Sequence, residues 1–192
     1  MRGHDLFRYA SIFAVVLCYS TILLGANVMA SDSGLACPDW PSCFGNGNLL
    51  PAFQGGVAVE WSHRVFAFFL SLSITVLALL GVVYERTRKV LRNLSLGALG
   101  LVVAEALLGG LVVRSDLTAE IVVVHLAIAT ALFGLLLALV LLANLRSLPR
   151  RWVEWARRAS DEAPQSDALG RTPGDPSPVP AAPPAGPAPR EG

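Results

Sequence analysis

Four stretches of this sequence, residues 9–30, 57–83, 94–113 and 121–145, are runs of apolar side chains broken by few charges. Each reaches or exceeds the roughly 20 residues that a helix needs to cross the hydrocarbon of a bilayer. Lipid offers no water to satisfy a backbone N–H or C=O, so a spanning segment of this kind must close its own hydrogen bonds as an α-helix. Composition agrees. Of the 192 residues 54% are hydrophobic and 15% charged, against about a quarter charged in an ordinary water-soluble domain, and the mean hydropathy is +0.56. The expected fold class is an all-α membrane protein, a bundle of four transmembrane helices. The first run, residues 9–30, is 22 residues long, well beyond the roughly 7–15 apolar residues of a cleaved signal segment. It is therefore expected to remain as a helix, although Ala30 places a small residue near its end.

A net charge of +1 says little, but its distribution orients the chain. Arg2 and Arg8 precede the first span, Arg86, Arg88, Lys89 and Arg92 lie between the second and third, and Arg146, Arg150, Arg151, Arg157 and Arg158 follow the fourth. Residues 31–56 contain no Lys or Arg. By the positive-inside rule both termini are cytoplasmic, and the connections after the first and third spans face outward. Three regions are expected: a membrane domain over 1–148, an interfacial segment over 149–159, and a tail over 160–192. The second mixes Trp152 and Trp155 with arginines, as helices on a membrane surface do; it is an anchor or, as the rival reading, a partner site. The tail holds nine of the 13 prolines with Ala, Gly and Ser between them. It cannot bury enough apolar surface to offset its ordering entropy, so a disordered cytoplasmic tail without a catalytic part is expected. The expected surroundings are lipid, with no nucleic-acid partner.

The sequence also echoes itself. Leu23-Leu24-Gly25-Ala26-Asn27-Val28-Met29-Ala30-Ser31-Asp32 closes the first span, and Leu107-Leu108-Gly109-Gly110-Leu111-Val112-Val113-Arg114-Ser115-Asp116 closes the third, 84 residues on. Leu, Leu, Gly, Val, Ser and Asp recur in register. Each copy is followed, toward the next helix, by a Glu and a His: Glu60 with His63, Glu120 with His125. The pattern predicts two pseudo-symmetric helical hairpins, each contributing one histidine to a shared centre at their interface.

The three histidines differ in setting. His4 lies in the polar N-terminus, with no role expected beyond titration. His63 is the seventh residue of the second span and His125 the fifth of the fourth. At about 1.5 Å per residue both sit roughly 6–10 Å below the same, outer, boundary. Facing helices of a bundle are where imidazoles ligate haem iron; the bland alternative is a pair of packing histidines. Ala67 and Ser71 below His63, and Ala129 below His125, are small enough to leave room for a flat macrocycle. No third His or Cys lies at that depth to complete a directly bound metal ion. Glu60, three residues before His63, shares its helix face. A carboxylate so near the membrane is costly unless paired or functional: it is a proton acceptor or charge stabiliser beside the haem edge, or an interfacial acid reaching water. Arg64 can pair with it or hold a propionate through bidentate contacts. Glu105, deep in the third span, needs a partner or a proton, and the sequence names neither. Cys18 reads as a packing residue. Cys37 and Cys43 share the outer, oxidising side, so they are a disulfide stapling the loop or a redox pair acting on another thiol protein.

Ser33-Gly34-Leu35-Ala36-Cys37-Pro38-Asp39-Trp40-Pro41, then Cys43, then Glu60-Trp61-Ser62-His63-Arg64, resembles the haem A synthase family, and Gly109-Gly110 before an outward turn with His125 in the next helix is similar to its fourth-span pattern. The resemblance covers about residues 23–133. It implies oxidation of the C8 methyl of haem O to the formyl of haem A for terminal oxidases. It further implies His63 and His125 as axial ligands of the haem iron, Glu60 as the catalytic carboxylate, and Cys37–Cys43 as the outer-loop disulfide or redox pair. Haem b, haem O or both are the implied haems. The site then lies near the extracytoplasmic side of a multi-pass protein of the plasma membrane, with haem O synthase and terminal oxidase assembly proteins as partners.

Two departures stand out. Typical members of the family have eight helices in two tandem halves, one for the substrate haem and one for a b-type haem; this sequence carries one half, so a homo-oligomer or a separate partner is expected to supply the other. The family also carries an Arg just after the first span, where Met29 stands here; Arg114, in the second copy of the echo, is the candidate substitute as a propionate or charge partner. Two rival functions are a bis-histidine membrane b-type cytochrome that transfers electrons, and a quinone-linked thiol oxidase using Cys37 and Cys43.

Overall fold

All four apolar runs are helices, each longer than the run that predicts it. The computed structural model describes residues 3–44, 51–144 and 157–158. Within these, α1 is Gly3–Ala30, α2 Gly55–Tyr84, α3 Lys89–Arg114 and α4 Ala119–Asn144. At 26 to 30 residues and about 1.5 Å per residue, each covers the hydrocarbon of a bilayer and part of both interfaces. All four are long and apolar enough to cross, and the protein is a multi-pass membrane protein. Segments 149–159 and 160–192 lie outside the described residues, apart from Arg157 and Arg158.

The connections are long, short, short. Residues 85–88 and 115–118 make tight turns, whereas 24 residues, 31–54, separate α1 from α2, of which 31–44 and 51–54 are described. Short turns force antiparallel neighbours. Thus α1 packs on α2 and α4, α3 packs on α2 and α4, and α2 and α4 oppose each other across the diagonal.

The echo is real in three dimensions. Ser31 N donates to Asn27 O at 3.0 Å, Asp32 N to Met29 O at 3.3 Å and Ser33 N to Val28 O at 3.0 Å. Eighty-four residues on, Ser115 N donates to Leu111 O at 2.9 Å, Asp116 N to Val113 O at 3.3 Å and Leu117 N to Val112 O at 3.0 Å. Both helices end in the same left-handed cap, with Asp32 at φ 51° and Asp116 at φ 49°. Asp is one of the few side chains that tolerates that conformation.

The core is concentrated in the inner half of the bundle. Phe7, Ala14 and Cys18 of α1, Leu70, Ile74 and Leu77 of α2, Leu91, Ala98 and Val102 of α3, and Leu132, Leu136, Leu139 and Ala143 of α4 form one buried cluster. Their spacing of three and four lays one stripe per helix along the axis. In lipid, which is as apolar as leucine, close packing rather than water exclusion holds helices together, and small residues at contacts permit it: a Cβ on Gly81 would run into Ser95. The outer half is looser. On α4 no residue before Leu132 is buried, and on α2 only Glu60 is buried before Leu70. Both intramembrane histidines lie in this loosely packed half.

Candidate functional site

The outer loop is pinned to α2 by an ion pair. Cys37 and Cys43 form a disulfide, and both are fully buried. Glu60, 3% exposed, accepts the Cys37 N–H at 2.7 Å and pairs with Arg64 one turn on. Arg64 also donates to Asp39 O at 2.6 Å and to Cys37 O at 2.7 Å. A carboxylate and a guanidinium in this low-dielectric setting are costly unless each satisfies the other, and the loop's own N–H and carbonyls complete them. Glu60 is therefore not an acid reaching water, and the Arg64 guanidinium is committed to protein. Farther along, Trp40 lies over α3, where a Cβ on Gly110 would come within 3.0 Å of its ring. Leu117 of the second outer turn fills the notch at Gly34. The loop so crosses the outer end of the bundle like a lid tied at three places.

Arg114 is exposed at the end of α3 and lines a groove of about 260 Å³ with Trp40, Leu107, Gly110 and Leu111. In the register of the echo it matches Ala30, while Val113 matches Met29. Neither copy has an arginine at the family's position, and Arg114 stands one residue beyond it.

Beneath the loop lie the histidines. His63 is the ninth residue of α2 and His125 the seventh of α4, so the two lie at similar depth on diagonally opposed helices. His63 Nδ1 is 3.1 Å from Thr21 O. A carbonyl only accepts, so Nδ1 carries the proton and the Nε2 lone pair is left for another partner. His125 Nδ1 is 3.0 Å from Glu105 Oε2. That approach lies off the N–H direction, so no hydrogen bond forms: His125 Nδ1 and Glu105 Oε1 are both buried without a hydrogen-bond partner. Buried orphans of this kind cost about 1–3 kcal/mol each. An Nδ1 backed by an acceptor with Nε2 available is the arrangement of an imidazole that ligates a metal.

The helices facing these rings are notched for them. A Cβ on Gly25 would come within 3.0 Å of His63 Cε1, and one on Gly109 within 3.7 Å of His125 Cε1. Gly25 and Gly109 are equivalent in the echo, and so are Thr21 and Glu105. Each histidine thus meets the same two positions of the preceding helix, four residues apart. Between α2 and α3 a second groove of about 180 Å³ runs along Ser71, Thr75, Val102, Ala106 and Leu107; Ser71 is the small residue two turns below His63. Among the described residues no group of three or more His, Cys, Asp or Glu side chains could hold a bare metal ion.

Two features escape a reading of the sequence. His125 is the partner that Glu105 lacks on paper; the offset of 84 that links it to Thr21, and so to the ring of the other hairpin, is the signal that could have found it. His4, expected only to titrate, instead places Nδ1 2.7 Å from Glu85 Oε1. Glu85 is 1% exposed and also faces Arg88 at 3.7 Å. Arg88 in turn donates to Leu142 O at 2.7 Å, which ties the starts of α1 and α3 to the end of α4.

Comparison with known proteins gives the family of the chain. A family model, COX15-CtaA, described as cytochrome oxidase assembly protein, matches residues 48–165, more than half of the chain. A haem A synthase of Geobacillus thermodenitrificans is 33% identical over 149 residues, 78% of this chain and 46% of that protein. Another, of Geobacillus kaustophilus, is 35% identical over 128 residues, 67% of this chain and 40% of that protein. A protoheme IX farnesyltransferase of Natronomonas pharaonis is 32% identical over 152 residues, 79% of this chain and 29% of that protein. The chain spans less than half the length of the haem A synthases it matches.

Proposed function

The chain belongs to the COX15-CtaA family of cytochrome oxidase assembly proteins, and from that membership we propose that it is a haem A synthase unit, oxidising the C8 methyl of haem O to the formyl of haem A. The observation that carries the reading is the histidine pair: two rings at similar depth, on opposed helices, each with Nδ1 turned to the preceding helix and a glycine beside it.

His63 and His125 would hold the haem iron through Nε2. When bound, haem supplies the iron redox chemistry that these side chains lack. Glu60 stands one turn nearer the outer face than His63 and takes up protons released as the methyl is oxidised; Arg64 and the Cys37 N–H fix its carboxyl in place. Arg114, at the rim of the Trp40 groove, attracts a propionate. The Cys37–Cys43 loop covers the site and keeps water from it.

In this reading the termini are cytoplasmic and the haem site faces the outer side of the plasma membrane; the arginine distribution supports the orientation. The unit acts as a homo-oligomer in this reading, a second copy bringing a further pair of histidines. The similarity to a protoheme IX farnesyltransferase supports a haem O synthase as the neighbouring source of substrate, with terminal oxidase assembly as the destination of the product.

The test is co-expression with a source of haem O in cells that make no haem A, followed by pigment extraction. Wild type yields haem A, whereas His63→Ala and His125→Ala leave haem O unconverted. Haem-loaded wild-type protein that yields no haem A would refute the activity. A second reading, a b-type cytochrome for electron transfer, draws on the commitment of both Glu60 oxygens to Arg64 and Cys37. Glu60→Ala separates the two: the synthase loses its product, while an electron carrier keeps its spectrum and its electron-transfer activity.

A further inference from the structure

Thr21 and Glu105 occupy one position of a repeated frame, yet they present different groups to the rings they face. Thr21 turns its hydroxyl to its own helix, donating to Leu17 O at 2.8 Å, and only its backbone carbonyl meets His63. Glu105 presents its carboxyl to His125. Its side chain is 11% exposed and lies within electrostatic reach of Cys18 on the diagonal helix α1, so it points into the bundle and away from lipid. Such a group at membrane depth is expensive and marks function more often than fold. The fold offers no return for it: Glu105 Oε1 and His125 Nδ1 are left without hydrogen bonds, and an apolar pair would fill the same space without that loss.

We infer that Glu105 is a positioning residue for His125, and that by backing this ring with a carboxyl group, where its counterpart has a neutral carbonyl, it makes the two axial ligands unequal. The inference rests on the haem-binding reading above. A carboxyl group 3.0 Å from the Nδ1 of an imidazole needs only a small rotation to accept its proton, and as an acceptor it fixes the tautomer and makes Nε2 the stronger donor. A stronger donor, with negative charge near the iron, favours the ferric state and lowers the reduction potential. The site thus has a strongly donating side on the α3–α4 hairpin and an ordinary one on the α1–α2 hairpin.

The experiment is a redox titration of the full-length, haem-loaded protein in detergent, followed in the Soret and α bands, for wild type, Glu105→Gln, Glu105→Asp and Thr21→Val. Glu105→Gln is expected to keep the haem-to-chain ratio and the bis-histidine spectrum while its midpoint potential rises. Glu105→Asp, whose carboxyl is withdrawn by one methylene, rises less. Thr21→Val stays at the wild-type value, because the acceptor on that side is main chain. Equal potentials for wild type and Glu105→Gln overturn the inference, as does an equal rise in Thr21→Val. If the Gln variant does not fold, an unmoved potential in Glu105→Asp overturns it as well. A residue needed only for the fold would lower the melting temperature of the haem-free variants and leave the potential in place, which also counts against the inference. Wild-type protein that takes up no haem removes the haem-binding reading itself, and this inference with it; that outcome is distinct from haem bound at an unmoved potential.

Discussion

Replacing Arg64 by Met leaves a long apolar stem on α2 and removes the guanidinium donors that tie the loop's carbonyls to it, while the Cys37 N–H keeps Glu60 as its acceptor. The structure sets the scale. Arg64 is 13% exposed and Glu60 4% by side chain, and the guanidinium also serves the carbonyls of Asp39 and Cys37. Breaking a buried pair by removing one partner costs roughly 3–5 kcal/mol; slight exposure places this pair near the lower end, about 3 kcal/mol. At about 1.4 kcal/mol per decade, the population of open loop then rises about a hundredfold. Cys37 and Cys43 are both fully buried, so a reductant reaches their disulfide only when the loop lifts. If closing is faster than reduction, the rate of reduction tracks that open population. The assay is the rate at which a water-soluble phosphine reduces the bond in intact membranes, trapped with a maleimide mass tag and corrected for the single tag that Cys18 can accept. We expect about a hundredfold acceleration in Arg64→Met. In Glu60→Gln, where an acceptor for the Cys37 N–H survives and the ion pair does not, we expect about tenfold, on the order of one hydrogen bond to a charged group. A rate in Arg64→Met within about threefold of wild type would refute the reasoning: the loop would then be held by Trp40 and Leu117, and the ion pair would be incidental to its closure.

Two further outcomes follow from the packing. Gly25→Ala places a Cβ 3.0 Å from a ring already tied to Thr21 O, and Gly109→Ala one at 3.7 Å. The first should cost about 1 kcal/mol, as modest overpacking does, and weaken haem uptake several-fold; the second should be neutral or gain up to about 1 kcal/mol of helix propensity. Thermal unfolding and haem titration check both, and equal effects at the two sites would contradict the difference in fit. At the other end of the bundle, Glu85→Ala strips the buried acceptor from His4 and the charge partner from Arg88, and should cost about 2 kcal/mol, since both of its partners are partly solvated. Limited proteolysis near the start of α1 should accelerate in step, and an unchanged cleavage rate would show that this latch contributes nothing.

The helices were legible because lipid leaves an apolar run of 20 residues no other conformation, and their order followed from short turns. Matched histidine depth was legible too, since the connections leading into α2 and α4 lie at the same end of an antiparallel bundle and rise per residue is fixed. The partners were not. Glu105 meets His125 because α3 and α4 are neighbours and because the turn at Asp116 sets their relative height; neither fact can be counted along the chain. Arg64 had two roles open to it, and what closes the choice is a carbonyl cluster at Cys37 and Asp39 that exists only once the loop has folded back on α2. His4 escaped for the opposite reason: nothing in a polar N-terminus predicts that α1 begins at Gly3 and delivers its second residue to a buried carboxylate 81 positions away.

The two hairpins share a frame and differ in what was added to it. Equivalent residues of α1 and α3 are 84 apart, whereas the histidines of α2 and α4 are 62 apart. The difference of 22 is the extra length between α1 and His63, and it lies almost wholly in the longer connection from α1 to α2, which carries the disulfide. Cys37, Cys43 and Trp40 lie in that extra length, and Glu60 and Arg64 are engaged with it. In the register of His63 and His125, Glu60 corresponds to Val122, so the second hairpin has neither the loop nor the carboxylate that holds it. What the second hairpin has instead is Glu105, at the place where the first exposes only a carbonyl. The frame accounts for two rings at equal depth. The two acids that break its symmetry, one above His63 and one beside His125, are where a site built from near-identical halves acquires different chemistry on its two sides.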